Sequence, residues 1–175
     1  MGKKYKLTEE SALPSNVKLF RIESLIEFTT ATGVIVRVGE KGGYVSSEKN
    51  LAQDGMSWVS GNAKVWGNAK VSGNAEVSGN AKVWGNAKVS GNAEVSGNAK
   101  VWGDAEVSKK CICIDFAVNW VITITDNHIK IGCQQHLIAE WHAFSDNEIA
   151  EMDSNALVWW KKWKGFIFQA IELSK

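Results

Sequence analysis

The chain is short of proline and of net charge. One proline, Pro14, stands among 175 residues, and 20 Lys and Arg face 19 Asp and Glu, a formal net charge of +1. A nucleic-acid binder usually carries a large basic excess and a nucleic-acid mimic a large acidic one, so no long nucleic acid is expected as a partner. No apolar run approaches the roughly 18 residues that a membrane span needs, so no membrane association is expected. The segment MGKKYKLTEESALP has basic residues but no apolar stretch behind them, and MGKKYK lacks the Ser or Thr of a myristoylation signal. Neither a secretory signal nor a lipid anchor is expected. Three cysteines are an odd number, and free thiols in a reducing cytoplasm are the expected state.

What is present is ordinary in bulk and unusual in detail. Hydrophobic residues are 45% and charged residues 22%, which excludes wholesale disorder. There are nine tryptophans. Each has a large apolar surface and one N–H donor to place, so nine need an explanation. From Val59 the chain reads VSGNAK VWGNAK VSGNAE VSGNAK VWGNAK VSGNAE VSGNAK VWGDAE VS, eight complete units of six residues. A second period lies on top: Trp66, Trp84 and Trp102 are 18 residues apart, as are Glu76 and Glu94.

A period of six fits neither the α-helix at 3.6 nor the heptad at 3.5. A Gly-Asn in every unit breaks a helix repeatedly but suits a short strand, a turn and another short strand, because both residues accept left-handed backbone angles. Three hexapeptides then make one triangular coil of 18 residues, with residues 18 apart stacked at ~4.8 Å. The Val series from Val59 to Val101 faces inward. The Ala series from Ala63 to Ala105 fills the tight inner corners. Asn62 to Asn98 form corner ladders, broken at Asp104.

This V-x-G-N-A-x pattern resembles the left-handed parallel β-helix hexapeptide family, whose signature is an aliphatic residue followed four positions later by a small one. The match covers about 50 residues and implies a mainly β fold. The best-known activity of that family is acyl transfer, but the catalytic His of those acyltransferases has no counterpart, since no His lies between Met1 and Asn127. Their long insertion loop is also missing. An ice-binding coil would want flat Thr arrays, and this coil has no Thr.

Residues before and after each Val point outward. One face carries Trp66, Trp84 and Trp102 beside Lys64, Lys82 and Lys100. A second has Ser72, Ser90 and Ser108 with Lys70, Lys88 and Glu106. A third has Ser60, Ser78 and Ser96 with Trp58, Glu76 and Glu94. An exposed Trp column is a large apolar patch, and such patches mark interfaces. Hexapeptide proteins usually assemble as trimers, so one reading is self-association as a homotrimer. Another is a ligand strip, with Trp stacking on planar rings and Lys pairing with phosphate. A third is plain copying of one Trp by duplication.

Repeat stacks need caps, because their ends would otherwise expose Val, Ala and unpaired edges. In the expected layout, residues 1–42 are a strand-rich N-terminal cap, 43–108 the β-helix and 109–175 a small α+β domain. VKLFRIES and GVIVRVG alternate like strands. Lys4–Leu7, Gly42–Val45, Asn50–Leu51 and Gly55–Trp58 resemble the K-Y-x-L, G-G-[YW]-V, N-L and G-x-x-W segments of a group of bacterial and phage hexapeptide-repeat proteins. In the C-terminal part, residues 111–133 read as a strand and a hairpin turning at Asp126-Asn127. Ser145-Asp146-Asn147-Glu148 is a capping box. ALVWWKKWKG reads as a helix stopping at Gly165, and G-C-x-x-H and W-W-K-K-W-K resemble the ends of other phage hexapeptide proteins.

Two constellations remain. Cys111, Cys113, Cys133 and His136 are four potential metal ligands, although structural zinc sites favour Cys-x2-Cys knuckles and free Cys is often simply buried. Trp159, Trp160 and Trp163 with Lys161, Lys162 and Lys164 make an aromatic-basic helix. It would either pack its rings on the core with lysines in water, form an anion or nucleobase pocket, or lie on a membrane surface. His128 and His142 have no partner at catalytic spacing. No nucleophile–base pair, phosphate loop or carboxylate pair is readable, so neither an enzyme nor a cofactor is expected. Two functions remain as expectations. One is an oligomeric, phage-encoded cytoplasmic protein that sequesters a small anionic ligand, such as a nucleotide signal of host immunity. The other is a structural or assembly module whose Trp face is only a contact.

Overall fold

The structure is a computed structural model and describes residues 2–12, 17–109, 111–115 and 120–173. It is mainly β, a parallel solenoid of about four turns of some 18 residues with a helical part after it. An antiparallel hairpin of β1 (Tyr5–Ala12) and β2 (Lys18–Ser24) leads into a small flap, β3 (Phe28–Thr29) and β4 (Ile35–Val36). Strand β5 (Lys41–Val45) pairs antiparallel with β2 on one side and parallel with the coil on the other. The cap and the coil therefore share one sheet.

Every hexapeptide then gives one two-residue strand. These are β6 (Trp58–Val59), β7 (Lys64–Val65), β8 (Lys70–Val71), β9 (Glu76–Val77), β10 (Lys82–Val83), β11 (Lys88–Val89), β12 (Glu94–Val95), β13 (Lys100–Val101) and β14 (Glu106–Val107). They stack into three parallel faces, β5-β7-β10-β13, β8-β11-β14 and β6-β9-β12. The register is 18 residues, with Val83 paired to Val65 below and Val101 above. The Val and Ala series are buried to 1% exposure or less. At roughly 1.5–3 kcal/mol for each fully buried Val, this column is the main stabiliser of the stack.

Corners obey the expected chemistry. The glycine of each unit has φ between 62° and 73°. At Gly85 an added Cβ would stand 2.8 Å from the backbone nitrogen of Gly103 in the next coil, so both angle and space demand glycine. The Asn ladders are hydrogen-bonded from coil to coil. Asn68 donates to Asn86 at 3.1 Å and Asn74 to Asn92 at 3.0 Å. Asp104, a break in the sequence pattern, terminates its ladder, accepting from Asn86 at 3.1 Å. Asp115 does the same for Asn98 at 3.3 Å.

Beyond the coil lies an antiparallel sheet in the order β15 (Ile112–Ile114), β16 (Ile122–Ile124), β17 (His128–Ile131) and β18 (Gln134–Leu137). Residues 116–119 of the expected first strand lie outside the described residues. Alternation gives this sheet two faces. Thr123 and Lys130 look at the last coil, while Ile122, Ile124, Ile129 and Ile131 join a core with α1 (Ile138–Ala143), α2 (Asp146–Met152) and α3 (Ala156–Leu173). The sheet closes the open edge of the coil with side chains. Asp126 accepts from the Ser108 amide at 2.7 Å, Asn127 from that of Glu106 at 3.2 Å, and Thr123 from that of Lys100 at 3.2 Å. Gln135 donates to the Trp102 carbonyl at 2.9 Å.

Three local expectations need correction. The last helix does not stop at Gly165 but runs to Leu173, because Ile167 and Ile171 continue the buried stripe of Trp159 and Trp160. GVIVRVG contributes only the two-residue β4, leaving Val34, Ile35 and Val38 at least half exposed. Trp58 is not an outer residue in effect. Phe28 of the flap at 5.5 Å and Tyr5 of β1 at 6.5 Å cover it edge-on, and it is 3% exposed. Among the described residues no helix is long and apolar enough to cross a membrane.

Candidate functional site

The face built on β5, β7, β10 and β13 carries the expected Trp and Lys columns. Residue order within each strand decides the arrangement. Lys, Val and Trp alternate out, in, out, and parallel register repeats this at each coil. Trp66 and Trp84 stack with centroids 5.0 Å apart and planes 2° from parallel; Trp84 and Trp102 stack at 5.8 Å and 19°. All three are half-buried. The outer face of Trp102 is covered by the Lys130 ammonium, 4.9 Å from the ring.

The Trp column is therefore an internal ladder rather than an open apolar strip. Both faces of Trp84 and Trp102 are occupied, and the Trp102 indole nitrogen is buried. Near-parallel rings at these centroid separations lie within the range that aromatic pairs adopt.

The Lys column is different. Tyr44, Lys64, Lys82 and Lys100 pair in series across neighbouring strands. Below Lys64 the Arg21 guanidinium lies 5.1 Å from the Tyr44 ring and donates to its hydroxyl at 3.0 Å. Above Lys100 stands Lys130, buried, its pKa lowered by that burial and by the charge of Lys100. Five cations thus follow one line up the molecule. Among the described residues none of Lys64, Lys82 and Lys100 has a carboxylate within ion-pair distance. Like charges opposite one another in a sheet are unfavourable, roughly 1 kcal/mol per pair near 4 Å even in water. The neighbouring face solves the same problem differently: Lys88 meets Glu106 at 2.9 Å. A groove lined by Tyr44, Asn62, Lys64, Asn80 and Lys82 runs along the strip. It offers ammonium and amide donors in periodic array.

The Glu side of the coil is already engaged. Glu76 accepts from the Thr32 amide at 2.8 Å and its hydroxyl at 2.9 Å, which ties the flap down.

The aromatic-basic helix is not a free strip. Trp159 and Trp160 are buried against the sheet and Trp163 is half-buried. Lys161 pairs with Asp146 at 2.6 Å, Lys164 lies 5.5 Å from the Trp160 ring, and Lys162 lies 5.1 Å from that of Trp163.

The potential metal ligands do not converge. Cys111 and Cys113 are on the β15 edge of the sheet and His136 is on the β18 edge, three strand spacings or ~14 Å away. Burial pushes the Cys111 thiol up to about 12. His136 instead packs edge-on against Trp141 and Phe144. Among the described residues no group of three or more His, Cys, Asp or Glu is placed to hold a metal ion.

Asp126, Asn127, Thr123 and Gln135 escaped the sequence reading as a set. The Asp-Asn turn was visible, but its docking on the coil edge depends on residues about 20 positions away.

No protein-family model matches the chain, and no curated protein matches it.

Proposed function

We propose that this chain is a non-catalytic binding protein that sequesters a small anionic ligand, of which a nucleotide is the best example, on the lysine strip. The observation that carries this reading is the column Lys64, Lys82 and Lys100, in register and without carboxylate partners among the described residues. The groove beside it adds Asn62 and Asn80. Charge-assisted contacts at roughly 1.5–3 kcal/mol each give three lysines roughly 4.5–9 kcal/mol, the upper end of which reaches micromolar binding at ~8 kcal/mol. The role of tryptophan changes: with both faces of Trp84 and Trp102 occupied, the ladder stiffens the strip rather than stacking on a ligand.

The further details belong to the same proposal. The solenoid is read as left-handed and related to phage hexapeptide proteins through its V-x-G-N-A-x units. Three copies assemble through a face that includes part of the Trp column. The protein acts in the cytoplasm of an infected host, removing a nucleotide signal of immunity.

One observation favours a second reading, a structural or assembly module. The rings of Trp66, Trp84 and Trp102 stack on one another, as in a stiffening device, although the Trp102 indole N–H is buried without a hydrogen-bond partner.

Calorimetry against cyclic di- and trinucleotides and ADP-ribose derivatives separates the two. The binding reading expects heats that shrink with salt, since exposed lysines act through screened charge, and that vanish when Lys64, Lys82 and Lys100 become Gln. Silence across the panel leaves the structural reading.

A further inference from the structure

The upper end of the lysine strip, where the coil meets the terminal sheet, differs from the rest of it. Thr123, Lys130 and Gln135 stand side by side on the neighbouring strands β16, β17 and β18. The outer two are tied to the last strand of this face. Thr123 accepts from the Lys100 amide at 3.2 Å, and Gln135 donates to the Trp102 carbonyl at 2.9 Å. Lys130, between them, is therefore held over the segment Lys100–Trp102, with its ammonium 4.9 Å from the Trp102 ring.

Lys130 is 7% exposed. A lysine so buried is almost always paired. Its ammonium has three N–H donors, yet among the described residues it has neither a hydrogen-bond acceptor nor a carboxylate within ion-pair distance. The unpaired polar atoms sealed from solvent are, among the described residues, the indole nitrogens of Trp102 and Trp159. Lys130 Nζ is not one of them, so this unpaired ammonium opens to solvent. The Trp102 ring covers one side of the charge. Burial and the charge of Lys100 lower the pKa of Lys130, with the Cys133 thiol opposing them. The two lysines thus feel each other, and no carboxylate is among the groups acting on Lys130.

Two neighbouring cations without an anion are matched best by one group with two negative charges. A phosphate monoester carries about −1.5 to −2 at pH 7 and three acceptor oxygens. A bridging phosphodiester carries one negative charge and leaves one cation uncompensated. We propose that the junction of Lys100 and Lys130 seats a terminal phosphate monoester, and that the strip prefers ligands ending in one over ligands whose phosphates are all bridging. Resting on the reading of the strip as an anion site, this seat gives the strip a direction. The terminal phosphate lies against the sheet, and the rest of the ligand runs down past Lys82 along the groove of Asn62 and Tyr44.

Calorimetry on the full-length protein compares two probes with the same bases and the same number of phosphates. The linear dinucleotide pApA has one terminal monoester and one diester; cyclic di-AMP has two diesters. The linear probe is expected to bind about tenfold tighter, the order of one added charge-assisted hydrogen bond. Lys130→Met keeps the apolar stem on Trp102, removes the charge and is expected to abolish that preference. Lys100→Gln, at an exposed position, is expected to abolish it without touching the core, so the test does not hang on the buried side chain alone. Lys64→Gln removes an equal charge two coils below Lys100 and is expected to weaken both probes alike and keep the preference. Equal binding of the two probes, a preference that survives Lys130→Met or Lys100→Gln, or one that falls as far in Lys64→Gln overturns the seat. In those cases the strip itself still stands if changing Lys64, Lys82 and Lys100 together to Gln removes binding. If neither probe binds, seat and strip fall together.

Discussion

Lys4 carries its amine into the base of the coil and shows how much one residue can commit to the fold. It is 2% exposed and donates to the carbonyls of Ser57, Asp54 and Gly55 at 2.8, 3.2 and 3.3 Å. Burial holds its pKa down at about 8. Above that value the folded protein releases a proton that the unfolded chain keeps up to its ordinary 10.5. Stability from this group therefore rises with pH between about 8 and 10.5 and is flat below. Other buried groups pull the opposite way, because burial raises Tyr5 and Cys111 and favours their neutral forms. The clean readout is a difference. Stability of the parent minus that of Lys4→Met, from denaturant melts, is expected to climb across the window. Its ceiling is ~3 kcal/mol at about 1.4 kcal/mol per pH unit, reduced by the carbonyl contacts that favour the ammonium. A difference constant from pH 8 to 10.5 would contradict a charged, desolvated Lys4.

At the scale of elements, the coil strands are two residues long and none is stable alone. What joins them is the repetition of the same contact 18 residues on. The Trp ladder makes this measurable. Trp66 touches Trp84 and Trp84 touches Trp102, at 5.0 and 5.8 Å between centroids. Double-mutant cycles to Ala are expected to give coupling of roughly 0.5–1.5 kcal/mol for each neighbouring pair. The end pair, Trp66 with Trp102, has Trp84 between its rings and is expected to be additive within about 0.5 kcal/mol. Equal coupling for all three pairs would mean that the column acts through assembly rather than through stacking. The lysines of the same strands repel where the indoles attract, so each coil adds both a stabilising contact and an unbalanced charge. That conflict is the feature on which the proposed anionic ligand rests.

Across the whole molecule, what could be read in advance was whatever repeats. Val, Gly, Asn and Ala occupy fixed places in the hexapeptide, and period alone dictates inside, corner and ladder. The Ser145–Glu148 capping box was equally local, and Glu148 Oε2 indeed accepts from the Ser145 amide at 2.8 Å. What escaped depends on contacts distant in sequence. Trp58 has the outward position of its unit, yet Phe28 and Tyr5 come from far upstream to bury it. Trp120, just before β16, and Trp159 of α3 meet edge-on at 5.4 Å, and neither segment announces the other. The lysine strip was legible as a column, but that no described carboxylate pairs with it is a matter of tertiary placement.

Native mass spectrometry of the full-length protein, sprayed with and without the best ligand of the nucleotide panel, bears on assembly and sequestration together. The expected result is a particle of three 19.2 kDa chains that gains the mass of bound nucleotide, and loses that gain when Lys64, Lys82 and Lys100 are Gln. A single chain that takes up no nucleotide would contradict the account.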